Sequence, residues 1–440
     1  MSRYKRYERY KDSGVEWIGE IPEHWDITKL GYRARMIVPM RDKPTEFNGN
    51  IPWIRIEDVD GKYIEDSKSE QRVSEELVKK MNLKVYPIGT VLCTCSCNMG
   101  STVIVKKPLI SNQTFIGIVP MKDLDSTFLY YAMNANSKRL QHLAEGAIQQ
   151  YLSRHDFEHL KLAFPDKKEQ TAIANFLDQK TAEIDGLIAD KEKLIELLQE
   201  KRQAVITEAV TKGLNPNVRM KDSGIEWIGE IPEHWRLSKI KYESLINNKT
   251  LSESTDDDYE IDYIDISSVT SIGEIDGVQS LNFKDAPSRA RRILYKGDTI
   301  VSTVRTYLKA IAFIENAQSN LICSTGFAVL TPLSKVVPKY LFYLMRSEKY
   351  VNEIVRRSVG VSYPAVNASD IGALECALPD RDEQMYIVEY LDNCTTQINQ
   401  LVNDIQAQIQ KLKEYRQSLI SEIVTGKIDV REFADKVEVI

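Results

Sequence analysis

Few residues of this chain have the type and spacing that chemistry requires. The clearest group is CTCSC at 93–97, whose three cysteines alternate and would lie on one face of a strand, as zinc-binding thiolates could. Zinc sites usually bring a second pair of ligands, and the sequence supplies none. In an internal repeat described below, the three cysteines align with Ser302, Val304 and Thr306. We therefore expect small, buried strand residues here and no metal site.

Two histidines and two acidic motifs are the other candidates for catalysis. His24 and His234 occupy two copies of IPEHW and could act as general bases, but no nucleophile accompanies them in sequence. PDKKEQ at 165–170 and PDRDEQ at 379–384 loosely resemble a nuclease acid–lysine set, yet proline and acidic residues also belong at helix starts. The chain lacks GxxxxGK[ST], a GxGxxG after a strand, HExxH and the Asn/Asp-Pro-Pro-aromatic motif of amino-methyltransferases. The residues therefore predict a recognition protein and scaffold without catalytic residues.

These motifs are positioned by a repeat that runs through the chain. KDSGVEWIGEIPEHW at 11–25 returns as KDSGIEWIGEIPEHW at 221–235, with one substitution. Further pairs follow at nearly the same offset, such as KRQAVITEAVT at 201–211 and YRQSLISEIVT at 415–425. The 440 residues are thus two copies of a unit of about 210 residues, each with a leader, a variable globular part and a long polar–apolar segment.

The long segments predict helices that pair as a coiled coil. Positions that step by four and three from 173 to 205, and again from 387 to 419, are mostly apolar, which is typical of a heptad seam. Each helix starts after a proline and stops near Gly213 or Gly426. Symmetry between the copies favours an antiparallel pair, and about 44 residues would form a bar of about 66 Å with one globular part at each end. A surface helix packed on its own domain is the alternative.

The globular parts predict a mixed α+β fold. Runs such as IPWIRIEDV and DTIVST are β-branched or aromatic and end at turn residues, and short helices are expected at 74–82, 126–144 and 337–357. The predicted order of parts is leader 1–25, recognition domain 26–164, spacer helix 165–214, leader 215–235, recognition domain 236–378, spacer helix 379–426 and tail 427–440.

Composition limits the setting of the protein. The net charge is −6, with the acidic excess in the two long segments and the most basic part at 26–164, so a nucleic-acid partner is permitted but not required. No apolar run reaches the length of a membrane span, and the basic N-terminus lacks the apolar region of a secretion signal. The six scattered cysteines suit a reducing compartment. We therefore expect a cytoplasmic protein.

The motifs together resemble one family. The duplicated WIGEIPEHW, the two starts EQ…I…(F/Y)LD and the endings RQ…I(T/S)E.VT resemble the DNA-specificity subunit of type I restriction-modification systems over the whole chain. The resemblance implies a non-catalytic bacterial subunit for phage defence, in which each target-recognition domain reads one half of an asymmetric bipartite site and the coiled coil sets the gap. It implies double-stranded DNA, two modification subunits and two restriction subunits as partners. S-adenosylmethionine, ATP and Mg²⁺ would belong to those partners.

Candidate DNA contacts lie on three loops in each half, where Asn and Gln suit adenine edges and Arg suits guanine. The base-reading candidates are Asn98, Ser101, Asn112, Gln113, Gln149, Gln150, Tyr151 and Arg154 in the first half, and Arg305, Tyr307, Lys309, Ser324, Thr325, Ser362, Tyr363 and Asn367 in the second. The phosphate-contact candidates are Arg41, Lys43, Arg291, Arg292, Arg356 and Arg357. The alternative for each is an ordinary surface residue.

The tryptophans of the leaders have two possible roles. Trp17, Trp25, Trp227 and Trp235 could face the modification subunits, which need equivalent surfaces in both halves, or lie inside the protein, since both uses would resist change between copies. Two other functional classes also remain at this point. They are a fused methyltransferase or nuclease chain, and a pure protein-binding scaffold.

Overall fold

The chain forms two compact units in a computed structural model that describes residues 4–40, 42–96, 99–144 and 151–434. The first unit combines the chain up to Lys191 with the part from Ala407 onward, and the second is Glu192–Gln406. Each unit thus contains one leader, one strand-rich part and a segment of both long helices. The predicted domain bounds divide the chain into consecutive segments, whereas the compact units do not. Those bounds remain a prediction.

The first unit is built from short strands and a few helices. Its described strands are β1 Tyr10–Asp12, β2 Glu20–Pro22, β3 Asp26–Lys29, β4 Ala34–Ile37, β5 Ile51–Ile54, β6 Tyr63–Ile64, β7 Arg72–Val73, β8 Val91–Thr94, β9 Thr102–Val105, β10 Ile110–Ser111, β11 Phe115–Pro120 and β12 Lys161–Phe164. Its short helices are α1 Glu75–Lys80, α2 Ser126–Ala135, α3 Ser137–Ala144 and α4 Arg154–His159, and the long helix α5, Lys167–Lys212, begins in this unit.

The second unit repeats this order. Its described strands are β13 Met220–Asp222, β14 Glu230–Pro232, β15 Arg236–Lys239, β16 Ser244–Ile246, β17 Glu260–Ile264, β18 Gln279–Asn282, β19 Ala290–Ile293, β20 Thr299–Ser302, β21 Ile311–Phe313, β22 Leu321–Ser324, β23 Phe327–Pro332 and β24 Glu375–Leu378. Its helices are α6 Ile240–Glu243, α7 Pro338–Arg346, α8 Glu348–Arg357 and α9 Ala368–Gly372, followed by the long α10, Arg381–Val424; α11, Arg431–Ala434, returns to the first unit.

The sheets have matching connections in both units. In the first, one sheet has the order β4-β11-β8-β9-β6 and a smaller one has β10-β5-β7, while β3 pairs with β12 and β1 with β2. In the second, the orders are β16-β23-β20-β21 and β18-β17-β22-β19, while β15 pairs with β24 and β13 with β14. The parallel pair β5–β10 corresponds to the parallel pair β17–β22. The predicted α+β fold and internal repeat are therefore confirmed.

Each long helix begins at a cap that the sequence places. The carboxylate of Asp166 accepts the backbone N–H of Glu169 at 2.8 Å, and Asp380 accepts that of Glu383 at 2.9 Å. These bonds satisfy amide groups that have no partner within the helix. At the other end, the backbone of Gly426 has φ +74°, and a side chain there would overlap Pro22 of the first leader. Glycine therefore ends the helix and lets it contact the leader.

A buried glutamine joins each long helix to its strand-rich part. Gln170 accepts the backbone N–H of Asp125, just before α2, at 2.8 Å. Its amide nitrogen donates to the carbonyl oxygens of Asp123, at 3.1 Å, and Pro165, at 2.9 Å. Gln384 makes the same three kinds of bond, to Val337, Lys335 and Pro379. Since both glutamines are almost fully buried, these bonds position the helix start on the domain.

A second contact lies two turns further along each helix. The hydroxyl group of Tyr131, in α2, donates to the carboxylate of Asp178 at 2.6 Å. In the second unit, Tyr343 of α7 donates to Asp392 at 2.7 Å. The aspartates are the last residues of the two (F/Y)LD motifs. Two contacts on one helix restrain both position and rotation, so each unit is held together by polar groups as well as by its core.

The long helices run antiparallel, as predicted. In the first unit, Asp185 pairs with Arg416 at 2.9 Å and Lys191 donates to Gln408 at 2.6 Å, so residue numbers rise along α5 as they fall along α10. In the second unit, Arg202 donates to Asn399 at 3.2 Å. Asp185 and Asn399 are equivalent positions in the repeat, as are Arg416 and Arg202, so the same contact occurs once in each unit.

Of the heptad positions predicted for the middle of these helices, Ile184, Ile398 and Ile405 are buried as predicted, but three leucines are not. Leu187, Leu194 and Leu401 are 51%, 44% and 50% exposed, whereas the neighbouring Ile188 is buried. The inward face instead advances by 11 residues for every three turns and carries isoleucine throughout, at 173, 184, 195 and 206 in α5 and at 387, 398, 409 and 420 in α10. Eleven residues in three turns is 3.67 per turn, a period that does not impose the left-handed supercoil of a heptad.

Substitution of Gln170 tests the first of these contacts. Gln170→Ala would leave a buried N–H and two carbonyl groups without their partner, so we expect the free energy of unfolding to fall by about 3 kcal/mol. Gln179→Ala, on the exposed side of the same helix, is the control and should change it by less than about 0.5 kcal/mol. Urea unfolding followed by tryptophan fluorescence measures both. Equal midpoints for the two variants would contradict the proposed role of Gln170.

Adjacent substitutions in α5 distinguish the two helical periods. Ile188→Ala should cost about 2 kcal/mol because it leaves a cavity in the helix interface. Leu187→Ala should cost less than about 0.5 kcal/mol because that side chain is half exposed. Thermal unfolding of the two variants under the same conditions gives the comparison. The heptad would be favoured if Leu187→Ala were the more damaging change.

Candidate nucleic-acid interface

Three of the predicted loops of the second unit meet at one end of its central sheet. The loop after β20 meets the loop before β23 where the backbone N–H of Thr303 donates to the carbonyl oxygen of Gly326 at 2.8 Å. It also meets the loop before α9, because the N–H of Val366 donates to the carbonyl oxygen of Thr303 at 2.8 Å. We call these segments, 303–309, 324–326 and 358–367, the loop surface.

A hairpin projects from this surface. Val359 and Ala365 exchange both backbone hydrogen bonds, at 2.8 and 3.0 Å, and close a turn at 360–364. Gly360, at φ +118°, occupies a conformation that other residues rarely adopt. The N–H of Arg305 donates to the carbonyl oxygen of Pro364 at 2.8 Å, which ties the hairpin to the neighbouring loop. The hairpin is therefore held by backbone contacts at its base.

Arg305 and Tyr363 form the centre of the loop surface. The guanidinium group of Arg305 lies 4.7 Å from the centre of the Tyr363 ring. Among the described residues, no group accepts a hydrogen bond from that guanidinium, so its planar edge is available to an external acceptor. Arg305 and Lys309 both have left-handed backbones, with φ +51° and +55°, on either side of the turn Thr306–Leu308. A left-handed backbone at a residue other than glycine is strained and persists only where neighbouring contacts enforce it. Functional loops often contain such residues.

The first unit brings the equivalent loops together. The N–H of Cys95 donates to the carbonyl oxygen of Thr114 at 2.9 Å, and the N–H of Leu152 donates to that of Cys95 at 2.8 Å. Ser101, Gln113 and Tyr151 are exposed near this junction. The predicted contacts Asn98, Gln149, Gln150 and Arg41 lie outside the described residues.

Several predicted base-reading residues make hydrogen bonds within the protein. Ser324 is fully buried, and its hydroxyl accepts the N–H of Gly326, so its assignment to DNA is wrong. Asn367 precedes α9 and bonds to Asp370 through its backbone and side-chain nitrogens, as a helix cap does. The side-chain oxygen of Asn112 accepts two bonds from Thr114 and so shapes its own loop. Sequence could not separate these roles, because loops that bind DNA and helix caps use the same amides and hydroxyls.

The basic residues also divide into two kinds. Lys43 is exposed and Arg356 mostly so, although Arg356 and Arg357 both donate to the buried carboxylate of Glu353 at 2.7 Å. Those bonds, from Arg356 first, hold the pKa of Glu353 below its ordinary value. Arg357 also lies 3.8 Å from Glu375 and is half-buried, and its role as a phosphate contact stays a prediction.

The remaining predicted contacts are partly exposed. Arg154 pairs with Glu158 one turn along α4, and Arg292 donates to Thr250 on the edge of its sheet. Arg291 lies over the ring of Phe283 at 4.5 Å. Thr325, Tyr307 and Ser362 are exposed on the loop surface. All of these side chains are exposed enough to contact DNA.

The leader tryptophans separate into a buried and a half-buried pair. Trp25 and Trp235 are 0% and 1% exposed, so these two belong to the interior and their prediction as partner contacts is wrong. Trp17 and Trp227 are half-buried. Trp17 lies under the guanidinium of Arg139 at 4.4 Å. The two copies keep the same pattern, so packing in the interior explains why one tryptophan of each leader is retained.

The histidines of the leaders bind the acidic motifs at the helix starts. Nε2 of His24 lies 2.9 Å from the carboxylate of Glu169, and Nε2 of His234 lies 2.7 Å from that of Glu383. The leader histidines and the acidic motifs, which first suggested catalysis, are therefore bonded to each other. Each His–Glu pair attaches a leader to a long helix. They do not converge with a nucleophile among the residues that the structure describes.

The cysteines behave as core residues. Cys93 and Cys95 are fully buried, and burial raises the pKa of the Cys93 thiol well above its usual value. Cys97 lies outside the described residues. Elsewhere in the described ranges, no group of three or more His, Cys, Asp or Glu side chains is arranged to hold a metal ion. Nor does any described helix combine the length and low charge of a membrane span.

Exposed apolar residues of the hairpin escaped the sequence analysis. Val359 is 80% exposed and Val361 fully exposed, beside Tyr363 and Leu308. In sequence, VGVSYPA resembles any β-branched stretch, and valine normally indicates a buried strand. A possible signal was the glycine and proline that bracket the valine–serine–tyrosine turn.

Comparison with known proteins identifies the family. The model of the type I restriction modification DNA specificity domain matches residues 38–197 and 232–411. The MjaIX specificity subunit of Methanocaldococcus jannaschii, from a type I restriction enzyme, is 25% identical, over 98% of this chain and 99% of its own.

Two solved structures share the fold. One, from work on assembly and conformational transition of the type I R-M system, is 16% identical with a TM-score of 0.68, and covers 93% of this chain and 99% of its own. The HsdS subunit of Thermoanaerobacter tengcongensis is 17% identical with a TM-score of 0.51, over 93% and 98%. Specificity subunits are non-catalytic components of type I restriction enzymes. This chain belongs to the family of type I restriction-modification DNA specificity subunits.

Proposed function

We propose that this subunit reads a bipartite, asymmetric site in double-stranded DNA, one half with the loops of each strand-rich part. The observation that carries the proposal is the loop surface of the second unit, where Arg305, Tyr307, Lys309 and Tyr363 are exposed on neighbouring loops. Base reading requires donors and apolar groups that can enter a groove from a firmly held backbone. The two sets of loops differ in sequence, so the two half-sites should differ.

Arg305 is the strongest candidate for direct base contact. The guanidinium lies 4.7 Å from the centre of the Tyr363 ring, and this contact restrains the side chain and reduces the freedom lost on binding. The planar guanidinium of arginine can donate two parallel bonds to O6 and N7 of guanine. Lys309 and Lys43, both exposed, are suited to phosphate contacts that position the domain without specifying sequence. We therefore assign a guanine in the second half-site to Arg305.

The long helices are proposed to set the gap between the half-sites. Helix α5 has 46 residues and α10 has 44, lengths of about 69 and 66 Å at 1.5 Å per residue. Successive major grooves on one face of DNA recur every ≈34 Å, so helices of this length suit a site that extends over more than one turn. Their polar contacts with each strand-rich part favour a fixed spacing.

The partners follow from the family and the repeat. Two modification subunits would dock on surfaces that both halves present, and the leaders, with Trp17 and Trp227 half-buried, are suited to this. Two restriction subunits would complete the complex in the cytoplasm. S-adenosylmethionine, ATP and Mg²⁺ would be bound by those subunits.

Sequencing of methylated adenines in DNA from cells that express the system tests the proposal. The wild-type chain should produce one asymmetric bipartite motif. Arg305→Ala should lose about 1–3 kcal/mol of discrimination at one base pair of the second half-site, because its paired donors are gone. Lys284→Ala, at an exposed cation of the same unit outside the loop surface and the leader, is the control and should leave the motif unchanged.

Two outcomes would contradict this proposal. A motif still fully specified in Arg305→Ala would remove the assignment of that residue. If the purified complex bound duplexes with and without the motif equally well in a gel shift, the chain would act as a protein scaffold and not as the reading subunit.

A paired deletion tests the spacing role. Removing 188–198 and its repeat equivalent 402–412 takes 11 residues, or three turns, from each helix and leaves Asp185 and Arg416 in place. The helices become shorter by about 16 Å, close to five base pairs, so methylation at the original gap should be lost. Circular dichroism and thermal unfolding provide the control for folding. Methylation of the original motif by a folded deletion variant would show that the helices do not set the gap.

A further inference from the structure

The hairpin 359–365 exposes apolar side chains that no contact within the described chain explains. Val361 is fully exposed and Val359 is 80% exposed, with the ring of Tyr363 two-thirds exposed beside them. Val361 lies in the turn and Val359 at the base of the hairpin, and side chains this exposed contribute little to the core. A cluster of this kind usually marks a contact with another molecule.

The backbone of the hairpin is fixed by hydrogen bonds, so its valines are exposed in an ordered conformation. Two backbone bonds between Val359 and Ala365 close it, and the bond from Arg305 to Pro364 attaches it to the next loop. The hydroxyl groups of Thr306 and Ser358 lie 2.8 Å apart at its base. The valines are therefore presented on a preorganised ribbon, which lowers the entropy cost of binding.

The charges next to the ribbon favour an anionic partner. Arg305 and Lys309 are exposed on the adjoining loop. The acidic residues that flank the hairpin in sequence are already bonded, Glu353 to Arg356 and Asp370 to Asn367. An apolar tip with the exposed Arg305 beside it matches the major groove of DNA, which admits a two-stranded ribbon between rows of phosphates.

We propose that the hairpin enters the major groove of the second half-site and that Val361, with Val359 beside it, contacts the C5-methyl group of a thymine. This inference rests on the proposed function and adds a specificity residue to it. The thymine methyl is the apolar group that the major groove offers, and it distinguishes A·T from the other base pairs. Val361 would then specify thymine next to the base pair that Arg305 contacts.

Replacement of thymine by uracil, which lacks only that methyl group, tests the proposal directly. Duplexes carrying the motif found by methylation sequencing would be substituted one thymine at a time and titrated at one salt concentration with the complex of the full chain and its modification subunits. For the wild type, one uracil in the second half-site should weaken binding by about four-fold, the effect of one buried methyl group. Val361→Ala should bind the natural duplex about as weakly and lose its sensitivity to that uracil.

Two controls separate this effect from a general loss of binding. Val278→Ala removes another exposed valine of the same unit, outside the hairpin, and should behave as the wild type. Uracil in the first half-site should affect Val361→Ala and the wild type equally.

The possible contrary results differ in meaning. If Val361→Ala keeps the wild-type response to every uracil, or if no uracil in the second half-site affects the wild type, the assignment of Val361 is overturned. If the variant keeps DNA binding but no longer co-purifies with the modification subunits, the hairpin is a protein contact and the proposal is again overturned. If the wild-type complex shows no preference for the motif, the proposed function itself fails.

Discussion

The start of each long helix is the point on which the rest of the molecule depends. Within ten residues, α5 presents Glu169 to a leader histidine, Gln170 to the segment before α2 and Asp178 to a tyrosine of α2. Helix α10 repeats all three contacts. Buried polar groups of this kind are costly when unpaired, so each contact requires the others to stay in register. The leader, the helix and the strand-rich part of each unit are thereby joined at one place.

This arrangement separates what must be constant from what can vary. The joining residues lie in the leaders, in the long helices and in or beside α2 and α7, and the two copies share them. The loop surface lies elsewhere, on the loops at one end of the central sheet. Arg305 contacts Pro364 and Tyr363 of the hairpin that carries Val361. Loops carried on a rigid scaffold tolerate substitution because their backbone contacts, not their side chains, hold them. A repeat can therefore keep its architecture while its two halves read different sequences.

The helices show how a sequence pattern can be right in kind and wrong in register. Periods of 3.5 and 3.67 residues agree at the start of each helix, where Ile173 and Leu177 are buried as predicted. The two periods separate by about 33° per heptad. By Leu187 the difference is one residue, and the buried position has moved to Ile188. The isoleucines at every eleventh position were visible in the sequence, but leucines at heptad spacing concealed them.

The sequence by itself determined the repeat, the α+β class, the antiparallel helices and the family, because these depend on period, order and motif. It also singled out the three loops of each half that carry candidate contacts, whereas their meeting at one place is seen in the structure. Only the tertiary structure decided which side chains on those loops face outward. Burial removed Ser324, Trp25 and Trp235, capping occupied Asn367, and exposure revealed Val361. These outcomes depend on packing between segments far apart in the chain, which local residue types do not encode.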